Sequence, residues 1–202
     1  MRGFLMALPL LWAAGPATGA EGFHSKPAHE YAARQEQAGV TVAVKPYLGE
    51  EEQKAAFGGA QPYKYGFLPV LLVITNNSDH PLGLQNLKVR FIDSRGDGLE
   101  RITAEDLGFF NPKGHQPKDR PAYIPIPLGR PKVKKGPLAK PEITQREFQA
   151  PVVAPETTAS GFFYYSTGTG SLAGTAIYIS GIRDMTTGSD LFYFEIPVDA
   201  PN

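Results

Sequence analysis

From Gly39 onward the chain alternates. Val40, Val42 and Val44 interleave with Thr41, Ala43 and Lys45, a period of two that predicts a half-buried strand. The segment 50–57, closed by Gly58-Gly59, predicts one or two turns of helix in the connection. Residues 67–74 are apolar at every position and rich in Val, Leu and Ile, which predicts a strand buried on both faces, with Pro69 marking a bulge or an edge position. Asn76-Asn77-Ser78-Asp79-His80-Pro81 has the chemistry of a turn. Alternation returns at Leu87, Val89 and Phe91, ends in the turn Asp93-Ser94-Arg95-Gly96-Asp97-Gly98, and gives way to a capping signal for a single helical turn at Thr103-Ala104-Glu105-Asp106. Further strands are expected at 143–149, 161–166, 175–182 and 191–198.

Upstream of Gly39 the pattern differs. Residues 28–38, rich in Ala, Gln and Glu and followed by Gly39, predict a short N-terminal helix with a glycine stop; its thin apolar side makes 21–38 a peripheral segment. About seven short strands with turn residues between them, and no long helical period, predict an all-β fold: an antiparallel sandwich forming a single domain over 39–202.

The run Gly66-Phe67-Leu68-Pro69-Val70-Leu71-Leu72-Val73-Ile74-Thr75-Asn76-Asn77-Ser78, followed by Leu87-Lys88-Val89-Arg90-Phe91-Ile92-Asp93, resembles the immunoglobulin-like sandwich domains of secreted bacterial proteins. Glu156-Thr157-Thr158-Ala159-Ser160-Gly161-Phe162-Phe163-Tyr164-Tyr165 looks like the turn and penultimate core strand of that group. The resemblance implies an immunoglobulin-like β-sandwich and a non-enzymatic role, since functions in that group range from adhesion to assembly and inhibition.

The first twenty residues agree with secretion. Arg2 precedes an apolar run, 4–14, and small residues ending at Thr18-Gly19-Ala20, the layout of a signal peptide. A membrane-spanning helix needs about 20 apolar residues, and Gly15 and Pro16 interrupt this run. Cleavage near Ala20 is expected, leaving 21–202 in the periplasm or outside the cell with no membrane span. The chain has no Cys, which excludes disulfides, zinc–thiolate and iron–sulfur sites and cysteine nucleophiles.

Charge changes the picture more than composition does. Lys plus Arg and Asp plus Glu each total 20 in the 202 residues, so no global charge points to nucleic acid. Yet ten of the 19 prolines fall within 111–155, and 111–141 carries eight basic side chains against the single acid Asp119, formally +7. The rest of 21–202, with 11 basic against 19 acidic side chains, is −8. Proline excludes a helix or central strand there, so 109–142 is expected to be a long Pro/Lys-rich insertion. Its apolar stretch Tyr123, Ile124, Ile126 and Leu128 and the basic positions Arg130, Lys132, Lys134 and Lys135 are the candidate partner-binding residues. The aromatic runs 162–165 and 192–194 place rings on both faces of their strands. The second face is expected to be covered by the 109–142 segment. The lack of Trp in 21–202 removes a favoured stacking residue for carbohydrate.

Chemical motifs mostly fail their own tests. Gly168-Thr169-Gly170-Ser171-Leu172-Ala173-Gly174 resembles a dinucleotide loop, but the following Thr175-Ala176-Ile177-Tyr178-Ile179 reads as strand where a helix N-terminus is needed, so a hairpin is expected. The 93–98 turn resembles a calcium loop, but Arg95 stands at its third position and Ala104 at its twelfth, leaving only an irregular site from Asp93, Asp97 and Glu100 open. His24 and His29 are five apart, not at helical ligand spacing. No Gly-x-Ser-x-Gly occurs. The sequence therefore predicts an exported, non-catalytic binding or assembly module without cofactor or metal. Its partner is expected to be an envelope protein or a second copy, engaged through a sheet edge or the basic arm. The competing expectation is electrostatic binding of an anionic envelope polymer or polysaccharide.

Overall fold

The structure, a computed structural model, describes residues 23–110 and 135–198. The described residues are mostly β, with eleven strands in three antiparallel sheets where about seven strands were expected, and a few short helices. Strand β1 (Arg34–Gln37), β2 (Val40–Pro46), β3 (Phe67–Asn76) and β8 (Thr157–Ser166) form a four-stranded sheet in the order β1-β2-β3-β8. A second four-stranded sheet has the order β11-β9-β5-β6, from β11 (Phe194–Pro197), β9 (Ala176–Ser180), β5 (Lys88–Ile92) and β6 (Gly98–Leu99). The third is small: β10 (Arg183–Asp184), β4 (Leu82–Gly83) and β7 (Val152–Val153).

The first sheet is buried on both faces, which explains why β3 is apolar at every step; β2, expected to be half-buried, is likewise enclosed on both sides, Thr41 and Ala43 as fully as Val42 and Val44. Val42, Val44, Leu68, Leu72, Ile74, Phe163 and Tyr165 point to the layer made by the other two sheets, where Phe91, Ile177, Ile179 and Phe194 meet them. Alternate residues Ala43, Leu71, Val73, Phe162 and Tyr164 point the other way. That second face is covered by helix α1 (Glu50–Ala56) and Phe57, by Tyr47, by Leu107 of α2 (Ala104–Gly108), and by Leu138 and Ile143. The expected cover by 109–142 is thus shared: Phe110 and Leu138 contribute, and the N-terminal Phe23 packs on Phe162 at 5.3 Å.

β3 pairs with β8 over ten uninterrupted residues, so Pro69 marks no bulge. The carbonyl of Pro69 accepts from Tyr47 N–H at 2.9 Å, on the side where the β2 ladder ends. A residue's N–H and C=O point the same way in an antiparallel strand, so the donor that proline lacks is missing where pairing stops.

Two elements differ from expectation. The predicted N-terminal helix over 28–38 is a 3-10 turn, Ala28–Glu30, followed by strand β1. Ala38 (φ 50°) and Gly39 (φ 75°) both lie in the left-handed region and join Gln37 to Val40 as a two-residue hairpin. Two such residues are what a type I′ turn requires, so Gly39 turns a hairpin and does not stop a helix. The predicted strand over 143–149 is instead helix α3 (Pro141–Gln145), with Pro141 in its first turn. Only Glu147 makes an isolated bridge, to Phe162. The 168–174 loop is likewise no hairpin: it carries the chain from β8 in one sheet to β9 in another.

Candidate binding groove

The two large sheets meet along one flank and part along the other. On the closed flank, β1 lies beside β11, and the Glu195 N–H donates to Gln35 Oε1 at 3.1 Å. On the open flank β6 is only two residues long and pairs Phe91 and Ile92 alone, leaving Lys88, Val89 and Arg90 without a strand neighbour on that side among the described residues. Asp93 N–H donates to the Asp97 carbonyl across the β5–β6 turn. By ladder alternation Phe91 and Val89 also face away from β9. The Val89 carbonyl accepts from the Tyr165 hydroxyl at 3.1 Å, and the Val89 N–H is turned into the opening. Burial pushes the Tyr165 phenol above its ordinary value, so it stays a donor.

Opposite β5 runs the strap 146–151. Arg146 and Phe148 bracket Phe162 of β8, with Phe162 N–H donating to the Arg146 carbonyl (2.7 Å) and Phe148 N–H to the Phe162 carbonyl (3.1 Å). A Cβ at Gly161 would collide with the Phe148 backbone, so glycine is what lets the strap lie against β8. Phe148 stacks on Phe163 at 5.6 Å, and Leu84 N–H ties the strap's end through the Pro151 carbonyl at 2.8 Å. Between β5 and the strap opens a groove of about 710 Å³. Its floor is apolar, from Leu84, Val89, Phe148 and Phe163, and its rim carries Lys88, Arg90 and Arg101 against one acid, Glu100. The Arg101 guanidinium lies over the Phe163 ring, 5.7 Å from its centre. The Arg90–Glu100 approach, at 3.5 Å, is largely solvent-exposed, and Arg101 reaches Glu147 of the strap at 3.8 Å, so three cations face two carboxylates and the rim stays cationic by one charge.

Of the sequence-predicted partner residues, Tyr123, Ile124, Ile126, Leu128, Arg130, Lys132 and Lys134 lie outside the described residues. Lys135 is described, and with Phe109 and Leu138 it lines a second cavity of about 350 Å³ between α2 and α3. The two ends of the insertion are pinned together there, the Gly136 N–H donating to the Gly108 carbonyl at 2.8 Å. Asp93, considered for calcium, accepts from the Arg95 and Asp97 N–H groups (2.9 Å each) and from the Arg95 guanidinium (3.0 Å). His80 Nδ1 contacts Asp184 Oδ2 at 2.8 Å, joining the 76–81 turn to β10.

The groove residues escaped the sequence analysis for a physical reason. Lys88 and Arg90 alternate with apolar neighbours as any solvated strand face does, and Arg101 and Phe148 belong to no motif. Comparison with known protein families, curated proteins and solved structures returns no match.

Proposed function

We propose that this protein is an exported, non-catalytic binding module that docks an extended segment of a protein partner in the groove between β5 and the 146–151 strap. The observation that carries this reading is the unpaired β5 edge beside an apolar floor. A strand laid there meets the Val89 N–H, sets alternate side chains on Phe148 and Phe163, and turns its other side chains toward Lys88, Arg90 and Arg101. The preferred segment alternates apolar with acidic residues. The rim supplies charge and amide groups rather than a nucleophile beside a base, which supports binding over catalysis.

An immunoglobulin-like fold is part of the same proposal. Setting aside β1 and the small sheet, the strand orders β2-β3-β8 and β11-β9-β5-β6 correspond to A-B-E and G-F-C-C′ of such domains. The place of strand D beside β8 is taken by the strap, and the groove opens next to it. The sandwich resemblance and the amino-terminal 1–20 segment support placement in the periplasm or outside the cell. The basic arm remains the alternative docking element, and the Gly136–Gly108 hydrogen bond sets its two described ends side by side.

Selection of random twelve-residue peptides on residues 21–202 tests the groove. The expected outcome is enrichment of alternating apolar and acidic sequences whose binding falls at least about tenfold in Arg101→Glu and in the groove-filling Ala150→Trp. Peptides that bind both variants as tightly as the wild type would overturn the reading. An anionic polymer held by several lysines would instead show steep weakening with salt.

A further inference from the structure

Backbone encloses the groove at both ends. At one end the chain passes from sheet to sheet: Leu99 pairs with Phe91 of β5, and the Ile102 N–H donates to the Tyr164 carbonyl of β8 at 2.8 Å. Beside it, Phe162 of β8 holds the strap, and Glu147 of the strap accepts from the Ala104 N–H at 3.4 Å. At the other end the Leu84–Pro151 hydrogen bond is followed by a second, from the Leu87 N–H to the Leu84 carbonyl at 3.0 Å, which leads the chain into β5. The edge between these closures, Leu87 to Phe91, spans about 14 Å at about 3.4 Å per residue. An extended segment that continues past both ends has to climb over this ring twice. A chain that ends inside the ring enters once.

The polar groups around the ring leave donors over. Its two acids are engaged, Glu100 with Arg90 at 3.5 Å and Glu147 with Arg101 at 3.8 Å. Among the described residues the Lys88 side chain makes no ion pair or hydrogen bond, and the Val89 N–H next to it meets no acceptor. One ammonium and one adjacent amide, in an enclosure with an apolar floor, match one carboxylate attached to an apolar side chain. We propose that the occupant is the free carboxyl end of the partner polypeptide, a refinement that rests on the docking reading above. Its terminal carboxylate accepts from the Val89 N–H and pairs with Lys88, and its last side chain, apolar, lies on Phe148 and Phe163. The rim's single excess positive charge is the one this carboxylate neutralises.

Two libraries of acetylated random hexapeptides, one of free acids and one of carboxyl amides, test this on residues 21–202. The free acids are expected to yield binders that end in an apolar residue. Remaking such a binder as its amide, or with two glycines added at its carboxyl end, is expected to weaken it by about tenfold or more. In Lys88→Gln, a change at an exposed position, acid and amide are expected to bind within about twofold of each other. Amides that bind as tightly as acids, yet lose binding in Ala150→Trp, would overturn this inference and leave groove docking standing. A preference for the free acid that survives Lys88→Gln unchanged would place the carboxylate elsewhere and overturn it too. Binders indifferent to Ala150→Trp, or no binders from either library, would overturn both readings.

Discussion

Asn76, fully buried at the end of β3, organises the turn that follows it. Its Nδ2 donates to the carbonyls of His80 (2.8 Å) and Val153 (3.2 Å), and its Oδ1 accepts from the Ser78 N–H (3.0 Å) and hydroxyl (2.6 Å). The ring that this turn presents, His80, contacts Asp184, with Asp79 3.5 Å away on the ring's other side. The hydrogen bond to Asp184 raises the His80 pKa. Asp184 is lowered to about 2, first by the Thr187 N–H and then by His80. The histidine's contribution to stability is present below its unfolded pKa and fades as pH rises through the folded one. The aspartate's is present above its unfolded pKa and fades as pH falls through about 2. The pair therefore stabilises most between roughly pH 4 and pH 6.5, the unfolded values of the two groups. The thermal midpoint of wild type minus His80→Gln is expected to be largest near pH 5 and to shrink toward pH 9. A difference that is constant across this range would exclude the ion pair as its source.

At the level of elements, the sequence was legible where side-chain periodicity and tertiary environment agreed. Strands β2, β3, β5 and β9, helix α1 and the Thr103 cap of α2, whose hydroxyl accepts from the Asp106 N–H at 3.1 Å, all lie where the pattern puts them. Segment 34–37 departs because local preference and tertiary need disagree. Arg-Gln-Glu-Gln favours helix, but β2 is buried on both faces and its outer edge would be left unpaired without β1. The edge strand is charged and polar, the usual way such an edge is kept from pairing further. Residues 141–145 departed because the apolar Ile143 fits either period, while the signal that mattered was proline in a helix's first turn. The hairpin also contains a local mismatch, since Ala38 sits at φ 50° where Asn or Gly is preferred. Ala38→Asn is expected to stabilise by about 0.5–1 kcal/mol, raising the thermal midpoint by a few degrees. A lower midpoint would contradict the turn assignment.

At the scale of the whole molecule, one sheet with two buried faces organises everything else. Its Phe162 and Tyr164 rings are covered by helices and connecting segments, its Tyr165 ring by Phe91 of the opposing sheet, and its Phe163 ring by Phe148 of the strap and Arg101. The aromatic run 162–165 announced both faces, but which segments cover the second face depended on long-range contacts that no local pattern records. The same holds for the groove, whose walls come from β5, from Glu100 and Arg101, and from the 146–151 strap. The insertion's body-facing ends were equally hidden: Leu138 is buried against the helical layer. Replacing 111–134 by a short Gly/Ser linker between Phe110 and Lys135 is expected to leave the thermal midpoint within about 2 °C, the scale of a surface change. A large drop would mean that the insertion is part of the packed body.

The most direct test of docking at the open β5 edge is amide hydrogen exchange on residues 21–202 with and without a selected peptide. The account predicts new protection at the Val89 amide and along the Phe148–Pro151 strap, with little change at β1 or β11. Protection confined to other surfaces, with Val89 exchanging as fast as in the free protein, would contradict it.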